Sequence, residues 1–120
     1  MNILFVCSAN KIRSVTAENH FRKIKPEHTY DSAGTNEKIC KLFGTTLLST
    51  EQAEWADIIY VMENKHFDRI KKHLNHYIKK VKVLNIKDIY KYNVASLKES
   101  LEKLNPSRKE QKTAGAVELT

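Results

Sequence analysis

Two short apolar runs limit the folds open to this chain more than any other feature. Residues 2–6 read Asn-Ile-Leu-Phe-Val, and residues 57–62 read Asp-Ile-Ile-Tyr-Val-Met. Runs of this length, rich in β-branched and aromatic residues, are typical of strands that are buried on both faces of a parallel sheet. Neither run approaches the roughly 20 apolar residues that span a bilayer, so no membrane span is predicted.

The segments between these runs carry apolar residues at helical spacing, so helices are predicted to alternate with strands. The predicted strands cover residues 2–6, 28–32, 57–62 and 80–86, and the predicted helices cover residues 13–24, about 49–56, 64–78 and 96–104. This alternation favours an α/β fold, a small doubly wound parallel sheet. In such sheets ligands bind beyond the carboxyl ends of the strands, which directs attention to residue 7 and those after it.

The length of 120 residues predicts a single domain, expected over residues 1–106, followed by a polar and loosely ordered tail over residues 107–120. The chain has two cysteines at unrelated spacing. They form neither a disulfide framework nor a zinc pair. Because the amino terminus also lacks the pattern of a signal peptide, a cytoplasmic protein with free thiols is expected.

The surface charge predicts a preference for anionic partners. There are 21 basic against 14 acidic residues, which gives a net charge of +7 with neutral histidines. Such a chain attracts phosphorylated or acidic molecules. Specific nucleic-acid binding is not expected, because 17 of the basic residues are Lys and no RNA-binding or zinc-finger signature is present. The sequence leaves the oligomeric state open.

Residues 7–14, Cys-Ser-Ala-Asn-Lys-Ile-Arg-Ser, fit the pattern C-x5-R-S/T between the first strand and the first helix. Five intervening residues let the backbone curl so that successive N–H groups point into one cup, to which the helix adds its positive dipole end. Such a cup holds a tetrahedral oxyanion. The alternative is a half-buried structural cysteine with a surface arginine.

Each side chain of this loop has a predicted role. Cys7 is expected to be a thiolate nucleophile at the floor of the cup, and Arg13 to grip two oxygens with its planar fork. Ser14 is expected to donate its hydroxyl to the sulfur, and Asn10 to brace the loop. Lys11 either adds charge at the rim or faces solvent. The predicted phosphate-binding residues are Ser8, Ala9, Asn10, Lys11, Ile12, Arg13 and Ser14.

The loop and several later segments resemble the low-molecular-weight protein tyrosine phosphatases, in particular their short bacterial branch. The similar segments are residues 5–14 (FVCSANKIRS), 16–18 (TAE), 31–35 (DSAGT), 54–63 (EWADIIYVME) and 83–92 (VLNIKDIYKY). The resemblance covers about residues 2–104 and implies a four-stranded parallel sheet with helices on both faces.

By the same resemblance, Cys7 would attack phosphotyrosine or another phosphomonoester through a cysteinyl-phosphate intermediate, without a metal or cofactor. The partner would be a phosphorylated protein or a small phosphomonoester. Ser32 would belong to the hydrogen-bond network that supports the loop.

The resemblance fails at the general acid. These phosphatases carry an Asp-Pro pair after the fourth strand, and Val94-Ala95 occupy that place here. Valine transfers no proton, so turnover would be slow while anion binding persists. Asp88 lies in the same loop and is the candidate replacement. The competing hypothesis is a phosphate- or phosphoprotein-binding pseudophosphatase without significant turnover.

The remaining cysteine and three of the histidines are candidates for further chemistry. Cys40 suggests an arsenate-reductase-like function. That function is disfavoured because its chemistry needs two cysteines besides Cys7, so a structural role is expected for the Cys40 thiol. Because position 12 is Ile12, a disulfide within the loop is excluded. His66, His73 and His76 are predicted to be solvated surface residues rather than metal ligands.

Three aromatic residues have expected places in the fold. Trp55 is expected in the core. Tyr90 and Tyr92 either wall the cleft, as the resemblance implies, or simply pack.

Overall fold

The computed structural model describes residues 1–86 of the chain. The predicted helix over residues 96–104 and the tail over residues 107–120 lie outside the described residues. So do Asp88, Tyr90, Tyr92 and Val94.

Strands and helices alternate along the described part. The elements are β1 Asn2–Cys7, α1 Arg13–Ile24, β2 Thr29–Gly34, α2 Glu37–Phe43, α3 Thr50–Trp55, β3 Ile58–Val61, α4 Asn64–His73, a 3-10 helix Asn75–Lys80 and β4 Val81–Val83. The four strands form one parallel sheet in the order β2-β1-β3-β4. The predicted α/β fold with a doubly wound parallel sheet is confirmed. None of the helices in this part is long and apolar enough to cross a membrane.

Each face of the sheet is covered by helices, and β1 lies between two apolar clusters. Ile3, Phe5 and Cys7 point into a cluster that includes Phe21 of α1. Leu4 and Val6 point to the opposite face, where α3 and α4 contribute buried residues. Alternate residues of a strand face opposite sides, so a strand covered on both sides must be apolar throughout. This explains the first apolar run.

The sheet also lengthens β2 beyond the predicted strand. The sequence predicts this strand over residues 28–32. In the structure Ala33 pairs with Val6 and Gly34 pairs with Cys7, so β2 continues to Gly34. The register with the central strand thus overrides the local turn preference of the Ala-Gly pair.

The prediction of one helix over residues 64–78 is wrong. Helix α4 ends at His73, and Leu74 has φ −135° and ψ 44°, outside the helical region. A 3-10 helix follows, and Leu74, Tyr77 and Ile78 all pack against the apolar cluster under α4. The spacing of these residues resembles one helix because all of them face the core.

Helix α2 was not predicted. Its start is capped by Asn36, whose Oδ1 accepts a hydrogen bond from the Ile39 N–H at 3.0 Å. Its end is capped by Gly44, which has φ 66°. Both are ordinary helix boundary signals, but the seven residues between them bury only Cys40, so no apolar periodicity revealed the helix.

Trp55 lies at the edge of the core rather than inside it. It is half-buried at the end of α3 and packs against the apolar cluster on that face.

Candidate active site

The predicted anion loop follows the carboxyl end of the central strand. Cys7 is the last residue of β1, and Arg13 is the first residue of α1. A buried strand ends at Cys7 and a partly buried helix begins at Arg13, so the five residues between them form a loop. In the sheet, β1 lies between β2 and β3, so the strand order reverses at its carboxyl end. α/β sheets bind ligands in the crevice at such a point.

The sulfur of Cys7 lies beside the hydroxyl of Ser14. The Sγ–Oγ distance is 3.1 Å, and both residues are buried. The Asn10 side-chain amide donates to the same hydroxyl oxygen, with Nδ2 2.9 Å from Ser14 Oγ. Ser14 Oγ accepts this hydrogen bond and keeps its own proton, which it can donate to a Cys7 thiolate.

Asn10 also joins the loop to a neighbouring segment. Its backbone is left-handed, with φ 52°, a conformation that Asn adopts more readily than most residues. Its Oδ1 accepts a hydrogen bond from the Thr46 N–H at 3.1 Å. Thr45 Oγ1 donates to the Ala9 carbonyl at 2.5 Å. The curled backbone is therefore held from outside as well as from within.

Arg13 is buried, with 3% of its side chain exposed. Its Nη1 donates to Glu63 Oε2 at 2.6 Å and to the Ile86 carbonyl at 2.8 Å. Burial alone would raise the pKa of Glu63, but the hydrogen bond and charge of Arg13 lower it below its usual value. Glu63 is therefore a carboxylate at neutral pH, and it fixes the position of the guanidinium.

The prediction that His66 is a solvated surface residue is wrong. It is fully buried, whereas His73 and His76 are exposed as predicted. His66 Nε2 lies 2.9 Å from Ser8 Oγ, and its Nδ1 accepts the Glu63 N–H at 3.0 Å. Burial is the main cause that lowers the pKa of His66 to about 3; Arg13 and Lys65 add to the lowering and Glu63 opposes it.

A sequence signal for this contact exists. Glu63 is the N-cap residue of α4 and His66 is its third residue, and together they form a reciprocal capping box. That spacing predicts a helix start. It does not reveal that the helix begins beside the loop.

Gly34 allows β2 to approach the loop closely. A Cβ at this position would lie 2.6 Å from the Ser8 carbonyl oxygen and 2.9 Å from the Asn10 nitrogen. Just beyond it, the Thr35 N–H donates to the Cys7 carbonyl at 2.9 Å and the Asn36 N–H donates to the Ser8 carbonyl at 3.0 Å.

The other predicted site residues lie further from the sulfur. Lys11 is exposed at the rim, with its Nζ 4.1 Å from the centroid of the Phe43 ring. Ser32 donates to Glu18 Oε1 of α1 at 2.6 Å, so this hydrogen bond supports the helix that follows the loop. Cys40 is a buried free thiol near the Ser8 carbonyl.

Metal-binding chemistry has no obvious location in residues 1–86. No group of three or more His, Cys, Asp or Glu side chains in that range could hold a metal ion.

Comparisons with known proteins support the resemblance found in the sequence. Residues 2–47 match the profile of the family described as low molecular weight phosphotyrosine protein phosphatase. That span contains the loop, β2, and Thr45 and Thr46, which hydrogen-bond to the loop. The resemblance to this family is confirmed. No curated protein sequence matches the chain significantly.

The fold of this chain is similar to that of several solved bacterial proteins. A YwlE mutant from Bacillus subtilis is 24% identical with a TM-score of 0.70, over 86% of this chain and 92% of that chain. The YwlE arginine phosphatase from Geobacillus stearothermophilus is 23% identical with a TM-score of 0.69, over 84% and 85% respectively. The tyrosine phosphatase Wzb from Escherichia coli K30, in complex with phosphate, is 23% identical with a TM-score of 0.67, over 85% and 93%.

Proposed function

We propose that this chain is a cysteine-dependent phosphatase of the low-molecular-weight type that hydrolyses phosphotyrosine or another phosphomonoester. The observation that carries the proposal is the buried contact of Cys7 Sγ with Ser14 Oγ, oriented by Asn10. A serine hydroxyl aimed at sulfur stabilises a thiolate and later the departing sulfur. A purely structural thiol needs no such contact.

The reaction proceeds in two displacements. The Cys7 thiolate attacks phosphorus, the S–P bond forms, and the P–O bond to the alcohol breaks as that oxygen takes a proton from a general acid. Water then attacks the cysteinyl phosphate and gives a proton to the deprotonated general acid, the S–P bond breaks, and the thiolate is regenerated with release of phosphate. Backbone N–H groups of residues 8–13 and the Arg13 guanidinium stabilise the phosphoryl oxygens in both steps.

The general acid is proposed to be Asp88. Ile86, whose carbonyl accepts a hydrogen bond from Arg13, is only two residues earlier. In sequence, Asp88 is the first carboxylate after Ile86 and follows it by two residues. Val94 lies eight residues beyond Ile86 and carries no carboxyl group.

A second candidate function follows from Val94-Ala95, which stand where the related phosphatases carry Asp-Pro. If neither Asp88 nor another group supplies the proton, the loop binds phosphate or a phosphoprotein without significant turnover. General acid catalysis contributes about 10²–10⁴-fold, so its loss separates binding from hydrolysis.

Hydrolysis of aryl phosphates with good and poor leaving groups distinguishes the two functions. We expect turnover that is abolished in Cys7→Ser. Asp88→Asn is expected to lower the rate about 10²-fold or more on poor leaving groups and less on good ones. Val94→Asp is the matched control and is expected to change neither rate. A gain of activity in Val94→Asp with no effect of Asp88→Asn would contradict the assignment of Asp88.

Affinity for phosphate without Cys7-dependent turnover on any ester would instead support the binding protein. Because the similar structures include both an arginine phosphatase and a tyrosine phosphatase, phosphoarginine is assayed beside phosphotyrosine. The two free thiols fit action in a reducing compartment such as the cytoplasm.

A further inference from the structure

The beginning of α4 holds two residues of the phosphate loop at once. The Glu63 carboxylate binds Arg13 at the end of the loop, and His66 Nε2 contacts Ser8 at its beginning. Glu63 and His66 are also joined to each other through the capping box. A single helix start thereby connects both ends of the loop.

The capping contact determines the tautomer of His66. Its Nδ1 lies 3.0 Å from the Glu63 backbone nitrogen, which is a donor, so Nδ1 must carry a lone pair. The ring proton is then on Nε2, and Nε2 donates to Ser8 Oγ over 2.9 Å. Protonation of Nδ1 would bring two N–H groups together and break the cap.

This arrangement orients the Ser8 hydroxyl. Because Ser8 Oγ accepts a hydrogen bond from His66 Nε2–H, the proton of the Ser8 hydroxyl must point away from His66. Within residues 1–86, the hydrogen bond to His66 is the one that Ser8 Oγ makes. Ser8 follows Cys7 directly in the loop and is only half-buried, so its proton can reach an acceptor outside residues 1–86.

We propose that His66 is a positioning residue that turns the Ser8 hydroxyl into a hydrogen-bond donor for an oxygen of the phosphate bound in the loop. The proposal rests on the proposed function in that the loop must bind phosphate. It does not require turnover. It adds a side-chain donor to the backbone N–H groups and Arg13.

Equilibrium binding of inorganic phosphate to the full chain, by titration calorimetry, tests this. Ser8→Ala removes the donor. His66→Asn keeps an acceptor at the place of Nδ1 for the Glu63 N–H but does not reach Ser8. His66→Gln has the length to donate to Ser8 and serves as the rescuing variant. His73→Asn, at an exposed position of the same helix, is the matched control.

We expect Ser8→Ala and His66→Asn each to weaken phosphate binding about tenfold, the usual effect of one hydrogen bond to a charged group. The double variant should be no weaker than either single variant, because both remove one interaction. His66→Gln should recover much of the affinity, and His73→Asn should bind as the native chain does. The near-ultraviolet circular dichroism of each variant verifies that it is folded.

Additive losses in the double variant, native affinity in Ser8→Ala, or a native chain that binds no phosphate would each overturn the proposal. If His66→Asn does not fold, Ser8→Ala and His66→Gln still decide, because the His66→Gln variant should bind phosphate more tightly than the Ser8→Ala variant does. Absence of Cys7-dependent hydrolysis alongside coupled phosphate binding would refute the proposed function but leave this inference standing.

Discussion

At the scale of single residues, the loop depends on one position with a left-handed backbone, Asn10, and on one position without a side chain, Gly34. Asn10 adopts a left-handed conformation and offsets its cost with two side-chain hydrogen bonds, to Ser14 and to Thr46. Gly34 has no unusual φ, but it is approached so closely by Ser8 and Asn10 that no side chain fits. The first residue shapes the loop from within, and the second lets the sheet support it.

Replacement of Gly34 by alanine is expected to move the loop. The new Cβ would lie less than 3.0 Å from backbone atoms of Ser8 and Asn10, and backbone cannot rotate away as a side chain can. We expect a loss of about 1–3 kcal/mol in the free energy of unfolding, measured in urea, and at least a tenfold loss of phosphate affinity.

Gly44→Ala is the control for that substitution. A Cβ at Gly44 meets nothing within 4 Å, but its φ of 66° strains a non-glycine residue. We expect a stability loss of about 1 kcal/mol with phosphate affinity unchanged. Native phosphate affinity in Gly34→Ala would show that the close approach does not shape the site.

At the scale of elements, α4 is the helix that most directly connects packing with the site. His66 is buried on it, and Glu63 at its cap binds Arg13. The same two residues satisfy N–H groups at the helix start that would otherwise lack partners. Helix stability and loop geometry therefore share one set of contacts.

The buried His66 is expected to make stability depend on pH. Its pKa is about 3 in the folded chain and ordinary, about 6.5, when unfolded. Between these values the unfolded state binds the extra proton, so the free energy of unfolding decreases as pH falls from about 6.5 toward 3. The slope from this group approaches about 1.4 kcal/mol per pH unit.

Urea unfolding at pH values from 7.5 to 5 measures this slope before most carboxylates titrate. His66→Asn should be less dependent on pH than the native chain over this range, whereas His73→Asn should keep the native dependence. Equal slopes for the native chain and His66→Asn would mean that His66 is not held neutral by the fold.

At the scale of the whole molecule, the site depends on a central strand enclosed on both faces. Phe5 of β1 stacks against Phe21 at 5.6 Å, Tyr60 at 5.7 Å and Tyr30 at 6.3 Å between ring centroids. Cys7 lies two residues further along the same strand and the same face. The position of the sulfur is therefore fixed by the packing of an aromatic cluster that takes no part in chemistry.

Phe5→Ala is expected to lower the free energy of unfolding by about 3–5 kcal/mol, since it removes a fully buried ring from this cluster. The measurement is urea or thermal unfolding followed by circular dichroism. Leu42→Ala, at a residue that is 78% exposed, should change stability by less than about 0.5 kcal/mol. A loss below about 1 kcal/mol in Phe5→Ala would contradict the central role of β1.

The sequence by itself determined the local units. The apolar run of β1, the helix Arg13–Ile24 and the C-x5-R-S/T loop between them follow from patterns within a few residues, because strand and helix periodicity and loop spacing are local properties. Its resemblance to a phosphatase family rested on the same short segments. The end of α4 was missed because Leu74 faces the core at helical spacing without adopting helical torsions.

Only the tertiary structure decided what surrounds the loop. His66 contacts Ser8 across 58 residues of sequence, and Glu63 binds Arg13 across 50. Neither pair is visible in any local pattern, and the histidine was even expected at the surface. The contacts exist because β3 pairs beside β1, so the helix that follows β3 begins next to the loop that follows β1. Strand order, which no single segment encodes, brought these residues together.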